Sequence, residues 1–509
     1  MLRTIKNMII TKSHEEKIEG TLFCYDRINI NCTAGTFGYA DGMKNFFYTI
    51  NRRCFDFSDV FKPITEIIKE NANKIAAENN MEIEYINNVG AFRKDDKIAE
   101  IISELGKTEG LIKIYAQKES CGTYKPWTDK ETGKTTFVFN KTVRLCYYFY
   151  FIDKLLGLCF VKVPTVAPFN VTVYFNGHSW LENKLKKENI KYQKIDNAFT
   201  SIENLERAQQ LSDKMRVEDI HQVLDIFMKR YCPLPTEWGL KWHYYISQVE
   251  YAYDIIFKKQ DELKPIYDNI IKTAMHTITP ENIATFLGKR LTVKFEGEMG
   301  NRYNERVLGT RIKHQMGELS VKVYDKFGKI LRIEVTSYNV SKLNAFRDVF
   351  KRNGEIVAKS APVKKNIYSL FVLIPIFKNI ISRYLEFISS FDDPSDGIKK
   401  LDNITSDKKC NNKTFKGFNF FNNHDEKILI SIADGKFNLN GLRAKNLKAM
   451  FPELKSWKIS YILKRLKLLG LIKKVAHSYK YYLTSLGKSV ITTGLYLKNQ
   501  IIIPHLSKA

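Results

Sequence analysis

Residues 145–177 read LCYYFYFIDKLLGLCFVKVPTVAPFNVTVYFNG, and this stretch decides the fold of the first part of the chain. Runs of aromatic and β-branched residues, which favour strands, are separated here by turn residues. The runs LIKIYAQ at 111–117 and TTFVFN at 135–140 have the same composition. We therefore predict an aromatic-rich antiparallel sheet region over 111–180, with a turn at 153–157 between two of its strands.

The chain has 509 residues, which is too long for one ordinary hydrophobic core. Apolar residues recur at helical spacing after the sheet region, while residues 392–414 are polar and rich in turn formers. These patterns predict an α+β multidomain protein. Its regions are a mixed α/β N-terminal region (1–110), the antiparallel β region (111–180), a helical region (181–290), a hairpin-plus-helix core with a candidate site (291–391), a linker (392–414) and a C-terminal domain (415–509).

The charge of the chain indicates an anionic partner. Lys and Arg number 81 against 55 Asp and Glu, which gives a net charge of +26. Such a surplus repels itself unless an anion lies nearby, and nucleic acid is the usual counterpart. We therefore expect DNA, and alternatively RNA, as the partner.

Several other classes of protein lack support in the sequence. None of the 8 cysteines forms a C-x-x-C pair, and no phosphate-binding glycine loop, zinc-protease motif or hydrolase motif is present. We therefore expect no nucleotide or organic cofactor. No apolar run is long enough to span a bilayer, and the N-terminus does not have the pattern of a signal peptide. These features predict a cytoplasmic protein that has no membrane partner.

The clearest module lies near the C-terminus. Three amphipathic segments at 426–433, 441–450 and 456–469 precede GLIKKVAHSYKYYLTSLG, which predicts two short strands around a basic tip. This order over about 416–490 resembles the winged helix-turn-helix domain of MarR-like and ArsR-like regulators. The resemblance implies a DNA-binding domain whose third helix enters the major groove while its wing contacts the backbone. The residues that it implies for DNA binding are Lys458, Lys464, Arg465, Lys467, Lys473, Lys474, His477 and Lys480.

The segment GTRIKHQMGELSVKVYDKFGKILRIEVTS, residues 309–337, combines a strand-like pattern with many polar side chains. Period-two alternation places Val321, Val323, Leu331, Ile333 and Val335 on one face of a hairpin. With a turn at 326–328, Lys322 faces Arg332 and Glu334 lies diagonally opposite. The polar face is therefore either a solvated ion-pair lattice or one wall of a phosphate-handling site.

The same segment, at 309–336, resembles rolling-circle replication initiators of the Rep_trans and filamentous-phage type. The resemblance implies a divalent metal, Mg²⁺ or Mn²⁺, held by Asp325 and Glu334, and a tyrosine that attacks a DNA phosphate. Tyr384 is the first choice for that tyrosine and Tyr324 the second. The resemblance implies phosphate-binding roles for Arg311, Lys322 and Arg332. The glycine-punctuated, cationic stretch GEMGNRYNERVLGTRIKH, at 297–314, adds Arg302, Arg306 and Lys313, together with Arg311, as predicted phosphate-binding residues.

Two further stretches have polar patterns. In YFNGHSWL, at 174–181, a polar group follows a strand, where either a capping turn or a site residue is common. CGTYKPWTDKETGK, at 121–134, is basic and aromatic, which suits either a solvated loop or base stacking.

Two functions remain open at this stage. The first is a DNA-binding protein of a mobile genetic element, a replication initiator and nickase or a transposase-like enzyme. The alternative is a non-catalytic DNA- or RNA-binding protein, either a large transcriptional regulator or the protein component of a ribonucleoprotein.

Overall fold

A computed structural model describes residues 14–87, 94–106, 109–289, 299–306, 309–351, 353–392, 395–434, 437 and 440–506. The chain forms two compact units, Met1–Ser389 and Ser390–Ala509. Both units mix helices and strands, so the chain is a mixed α/β protein. Among the helices that the described residues form, none is both long enough and apolar enough to cross a lipid bilayer.

The first unit is built on one 11-stranded sheet, in the order β10-β11-β12-β13-β9-β1-β6-β5-β4-β3-β2. All neighbouring strands are antiparallel except β2 and β3, which are parallel. The strands are β1 (Ile18–Ala34), β2 (Ile83–Ile86), β3 (Gly110–Thr128), β4 (Thr135–Asp153), β5 (Gly157–Pro164), β6 (Val171–Asn176), β9 (Trp242–Phe257), β10 (Met299–Arg306), β11 (Gly309–Met316), β12 (Leu319–Lys326) and β13 (Ile330–Ser337).

The two halves of this sheet repeat one strand order. From the centre outward, one half is β1-β6-β5-β4-β3 and the other is β9-β13-β12-β11-β10. In each half a long first strand is followed by helices, and in the first half also by the short strand β2, and then by four consecutive strands, the last of which returns beside the first. The first strands β1 and β9 pair with each other and join the halves. Each of them carries a Tyr-Asp dipeptide, Tyr25-Asp26 and Tyr253-Asp254.

Helices and two small hairpins complete the first unit. The helices are α1 (Ala40–Thr49), α2 (Phe57–Glu78), α3 (Lys94–Leu105), α4 (Gly177–Lys187), α5 (Leu205–Asp213), α6 (Val217–Tyr231), α7 (Gln260–Thr277), α8 (Pro280–Phe286) and α9 (Ser369–Asp392). The hairpins are β7 (Tyr192–Ile195) with β8 (Ala198–Ile202), and β14 (Asn344–Phe350) with β15 (Ile356–Pro362).

One face of the sheet is apolar and packs on helices. Leu331, Ile333 and Val335 of β13 belong to the same buried cluster as residues of α2, α6 and α9. The alternate β13 residues Arg332 and Glu334 therefore project to the other face, because successive strand side chains point in opposite directions. This alternation confirms the predicted faces of the β12–β13 hairpin.

The structure differs from the predicted division of the first unit. The four regions predicted within 1–391 share one sheet, and the stretch predicted as helical, 181–290, contains the central strand β9. The antiparallel strands predicted over 111–180 are present, with a turn between β4 and β5. The N-terminal region contributes the other central strand, β1.

The second unit begins at Ser390, two residues before the segment 392–414 that we predicted as a linker. That segment instead contains the helix α10 (Ser395–Thr405), whose Ile404 is buried in the core of this unit. The described residues of this unit also form the hairpin β16 (Lys408–Cys410) with β17 (Lys413–Phe415), the helices α11 (Asn423–Ile432), α12 (Ala444–Met450) and α13 (Ser456–Leu468), the hairpin β18 (Ile472–Lys474) with β19 (Tyr481–Leu483), and the helices α14 (Ser485–Tyr496) and α15 (Ile503–Leu506).

Candidate functional site

Charged side chains are buried on the polar face at the centre of the large sheet. Four neighbouring strands supply them: Asp26 comes from β1, Glu250 and Asp254 from β9, Arg332 and Glu334 from β13, and Lys322 from β12. The β1–β9 pairing shifts register between Tyr25 and Ile28. Asp26 lies within this irregular stretch, and its carboxylate lies beside that of Glu250.

Arg332 organises one part of this face. The side chain is fully buried, and its guanidinium donates from Nε and Nη2 to the two carboxylate oxygens of Asp254, at 2.6 Å each. It also donates to the Asn197 carbonyl oxygen at 2.9 Å, and its Nη1 lies 3.4 Å from Asp26. Burial by itself raises the pKa of Asp254, but Arg332 and His178 outweigh burial and hold it at about 2.

His178, at the start of α4, links Arg332 to Asp26. The Arg332 guanidinium has only donors, so Nε2 of His178 accepts its hydrogen bond, at 3.1 Å. The proton of a neutral imidazole then lies on Nδ1, which is 3.4 Å from Asp26. Asn176 caps α4 by accepting from the His178 amide, and its side chain also donates to Asp26 at 2.7 Å. Both interpretations of the YFNGHSWL stretch are therefore compatible with the structure.

Three carboxylates form the second part of the face. Asp26, Glu250 and Glu334 are all buried, and one carboxylate oxygen from each lies within 4.8 Å of the other two. Burial, followed by repulsion from Glu334, raises the pKa of Glu250. The Lys322 ammonium contacts Glu334 and lies 3.1 Å from Glu250. Although burial disfavours its charge, these carboxylates raise the pKa of Lys322.

The register of the β12–β13 hairpin differs from our prediction. Lys322 pairs with Glu334, and Tyr324 pairs with Arg332. The turn lies at 327–329 instead of 326–328, with Phe327 and Gly328 both in the left-handed region. The predicted Lys322–Arg332 pair was therefore wrong. Because the turn lies one residue later than predicted, the partner of Lys322 lies two residues later, at Glu334.

The predicted metal ligands are not brought together. Asp325 pairs with Leu331 on the face that packs on helices, whereas Glu334 lies on the polar face. The described carboxylates that surround Glu334 are instead those of Asp26 and Glu250.

Of the two tyrosines predicted as nucleophiles, only Tyr324 lies beside Glu334. Its hydroxyl donates to Glu334 Oε2 at 2.8 Å, and burial together with this carboxylate raises its pKa well above the usual range. Tyr384 is fully buried in the helix-covered core, with its hydroxyl 3.2 Å from His314 Nε2. The prediction of Tyr384 as nucleophile is wrong, because a DNA phosphate cannot reach it.

The predicted phosphate-binding residues lie in different surroundings in the structure. Lys322 and Arg332 are engaged with the buried carboxylates. Arg311 and Lys313 pair with Tyr324 and Lys322 and so lie on the polar face. The side chains of Arg302 and Arg306 lie outside the described part of the chain, although their backbone forms β10.

In the second unit most of the predicted DNA-binding side chains are accessible. The exposed ones are Lys458, Lys464, Lys467, Lys473, Lys474 and His477, and Lys480 is half-buried. Arg465 is the exception. Its guanidinium donates to both Asp425 oxygens at 2.7 and 2.8 Å, and to the carbonyl oxygens of Lys416 and Gly417. Arg465 therefore holds α13 against α11 and cannot contact a base.

Sequence reasoning missed Asp26, Glu250 and Asp254. The sequence feature that could have identified them is a carboxylate inside a strand-like apolar run. Asp26 lies in FCYDRINI at 23–30, and Glu250 and Asp254 lie in VEYAYDIIF at 249–257. A carboxylate at such a position is buried, and a buried carboxylate requires a partner.

No known protein family, curated protein or solved structure matches the chain.

Proposed function

We propose that the chain is a nucleic-acid-binding protein of a mobile genetic element that acts on DNA, as a replication initiator and nickase or as a transposase-like protein. In this proposal the second unit binds duplex DNA as a winged helix-turn-helix domain. The observation that carries the proposal is the set of exposed lysines on α13 and on the β18–β19 hairpin.

The contacts of α13 support a DNA-facing side. Ile459, Ile462 and Leu466 are buried in the core of the unit, while Lys458, Lys464 and Lys467 are exposed. The hairpin adds the exposed Lys473 and Lys474. None of these five lysines forms an ion pair with a residue in the described part of the chain, so their charge is available to phosphate.

The charge of the region argues against a module for protein contacts alone. Residues 403–509 hold 20 Lys and Arg against 5 Asp and Glu. More than half of the surplus charge of the chain therefore lies in about a fifth of its length. A large single-sign field attracts nucleic acid and accelerates its association.

Binding of a labelled DNA duplex, measured by fluorescence anisotropy over a range of salt concentrations, tests this proposal. Each lost phosphate contact flattens the log–log salt slope by about 0.9, so Lys473→Ala with Lys474→Ala should flatten it by about 1 to 2. Lys427→Ala, exposed on α11, is the matched control and should change nothing. Equal slopes for the double variant and the native chain would contradict the proposal.

A second candidate activity, cleavage of a DNA phosphodiester bond, is favoured by the position of Tyr324. Its oxygen would form a bond to phosphorus as the bond from phosphorus to the leaving sugar oxygen breaks. Glu334, at 2.8 Å, would accept the tyrosine proton, and the leaving oxygen would take up a proton to become a hydroxyl.

The donor set beside Tyr324 suits a hard divalent cation, since Mg²⁺ and Mn²⁺ prefer carboxylate oxygens. Asp26, Glu250 and Glu334 would hold the ion, which would polarise a phosphate oxygen. The Lys322 ammonium already contacts two of these carboxylates, so an ion must compete with it. Lys322→Ala should therefore bind Mn²⁺ more tightly than the native chain in calorimetric titration. Equal or weaker binding would identify the cluster as an ion-pair network.

Nicking of supercoiled DNA in the presence of Mg²⁺ or Mn²⁺ tests the cleavage. Glu334→Gln should abolish nicking, and Tyr324→Phe should abolish any covalent protein–DNA adduct. Tyr338→Phe, an exposed tyrosine just beyond β13, is the control. Nicking that persists in Glu334→Gln would rule out this carboxylate as part of the cleavage site, and failure of the native chain to nick would leave the non-catalytic binding protein as the better description.

A further inference from the structure

An open cleft of about 820 Å³ lies in the first unit, between α2, β2 and the long β3–β4 hairpin. Its described lining includes no aspartate or glutamate and five cationic side chains, which are Lys62, Lys69, Lys118, Lys125 and Arg144. Protein surfaces normally intersperse both signs of charge. A cleft with cations on several walls therefore favours an anionic occupant.

Most of these cations have no carboxylate partner. Lys69 pairs with Glu66 at 2.8 Å. Lys62, Lys118, Lys125 and Arg144 are exposed, and none of them forms an ion pair with a described residue. Among the described residues, the Arg144 guanidinium donates to the carbonyl oxygen of Val143, at 3.1 Å. The attraction of these groups for an anion is therefore not offset by the protein.

Large aromatic rings are exposed around the same cleft. Phe55 and Tyr85 line it with 63% and 58% of their surface exposed, and Phe139 and Trp127 of the adjoining hairpin are 64% and 48% exposed. A single exposed ring is common on protein surfaces, but a group of them around one cleft marks a surface that binds a partner. Cations combined with exposed aromatic rings are the means by which proteins bind single strands, because unpaired bases stack on the rings.

The dimensions of the cleft favour a polymer over a free nucleotide. Lys118 and Lys125 lie seven residues apart on β3, which separates their Cα atoms by about 23 Å in an extended strand. One nucleotide cannot contact both lysines, whereas a strand of several nucleotides can. A duplex would gain nothing from the rings, because its bases are already stacked on one another.

We propose that this cleft binds single-stranded nucleic acid, with its phosphates on Lys62, Lys118, Lys125 and Arg144 and its bases against the exposed rings. The cleft lies in the first unit and uses none of the residues assigned to duplex binding or cleavage. The proposal therefore stands or falls separately from the proposed function.

Fluorescence anisotropy of the full chain with a labelled 20-nucleotide oligo-dT, and with oligo-U of the same length, tests this binding. The triple variant Lys62→Glu, Lys125→Glu, Arg144→Glu should weaken binding of the preferred strand at least tenfold. Phosphate contacts with a single strand each add about 0.7 to the salt slope, so the slope should flatten by about 2. A separate variant, Phe139→Ala with Phe55→Ala, removes only rings and should weaken binding with an unchanged slope.

Lys187→Glu, exposed on α4 and outside the cleft, is the matched control and should bind as the native chain does. All substituted side chains are exposed, and thermal unfolding would verify that each variant is folded. Duplex binding, measured in parallel, should be unchanged in the cleft variants. Failure of the native chain to bind either strand, or a change of less than twofold in both the triple variant and the ring variant, would overturn the proposal.

Discussion

At the scale of single residues, His314 shows what burial does to an ionisable group. Its ring is fully buried between Phe286 and Tyr384 on the helix-covered face of the sheet. Burial lowers the pKa of His314 from 6.5 to about 4. Between about pH 4 and pH 6.5 the ring is therefore neutral in the folded chain and protonated in the unfolded chain.

This burial predicts a loss of stability in acid. The contribution of His314 is fully present above the unfolded pKa of 6.5 and is lost as the pH falls towards 4, a change of about 3 kcal/mol. Urea unfolding of the first unit between pH 7 and pH 4 would measure it. His314→Phe with Tyr384→Phe should lose this part of the pH dependence, whereas Tyr384→Phe alone should keep it. An identical pH dependence in both variants would argue against His314 as the source.

Arg332 is the residue on which the buried charges of the polar face depend most. Arg332→Met leaves Asp254 and Asp26 without their main cation, and removal of one partner of a buried ion pair typically costs about 3–5 kcal/mol. Adding Asp254→Leu should restore part of that stability, because the carboxylate is then removed as well. Denaturant unfolding of the single and double variants is the measurement. A double variant less stable than the single one would contradict this account.

Arg465 and Lys464 are neighbours on α13, and the first is buried whereas the second is exposed. Arg465→Ala removes four hydrogen bonds and leaves the buried Asp425 unpaired, so it should destabilise the second unit by about 3 kcal/mol or more. Lys464→Ala should weaken duplex binding at nearly unchanged stability, because the side chain is exposed. Thermal unfolding and anisotropy on the two variants would separate the roles. Equal unfolding midpoints would refute the structural role of Arg465.

At the scale of elements, the β12–β13 hairpin shows how far sequence patterns reach. Alternation of apolar residues identified both strands and the common face of Val321, Val323, Leu331, Ile333 and Val335. It did not give the register, because that depends on a turn in which Phe327, a residue with a β-carbon, adopts a positive φ of 61°. The central strands β1 and β9 were missed because charged residues interrupt their apolar pattern. Those charged residues are the candidate site itself.

The junction between β6 and α4 depends on the absence of a side chain at Gly177. A Cβ there would lie 2.2 Å from the Tyr25 carbonyl oxygen of β1. Gly177→Ala should therefore displace α4 and His178 and destabilise the first unit. Gly397→Ala, in α10, meets nothing within 4 Å and should be neutral or stabilising by up to about 1 kcal/mol. Comparison of both variants by thermal unfolding would test this contrast, and equal midpoints would count against it.

At the scale of the whole molecule, the two units predict separable functions. The second unit starts at Ser390, whereas we predicted that the C-terminal domain starts at 415, because α10 belongs to the second unit. Residues 393–509 expressed alone should bind duplex DNA with most of the affinity of the full chain. Residues 1–392 should retain single-strand binding and lose most duplex binding. Anisotropy with both probes is the measurement, and duplex affinity retained by 1–392 would place duplex recognition in the first unit.

The domain count was the part of the architecture that local patterns could not supply. Each predicted region within 1–391 is internally consistent as helix or strand. We predicted them as separate regions because the strand pairing that joins them connects positions far apart in the chain. One example is the pairing of Arg332 of β13 with Asp254 of β9. Periodicity reports neighbours along the chain and contains no information about such partners.

The pairing of β1 with β9 has a consequence for synthesis of the protein. Cys24 of β1 pairs with Ala252 of β9, so 228 residues must be added after Cys24 before this partner exists. At roughly 5–20 residues per second, a ribosome needs about 11–46 s for that length. During this interval β1 can pair with β6 on one side, while its other edge presents open hydrogen-bonding groups to any strand nearby. The nascent half-sheet is therefore the form most exposed to aggregation, and chaperones that cover strand edges should matter most at that stage.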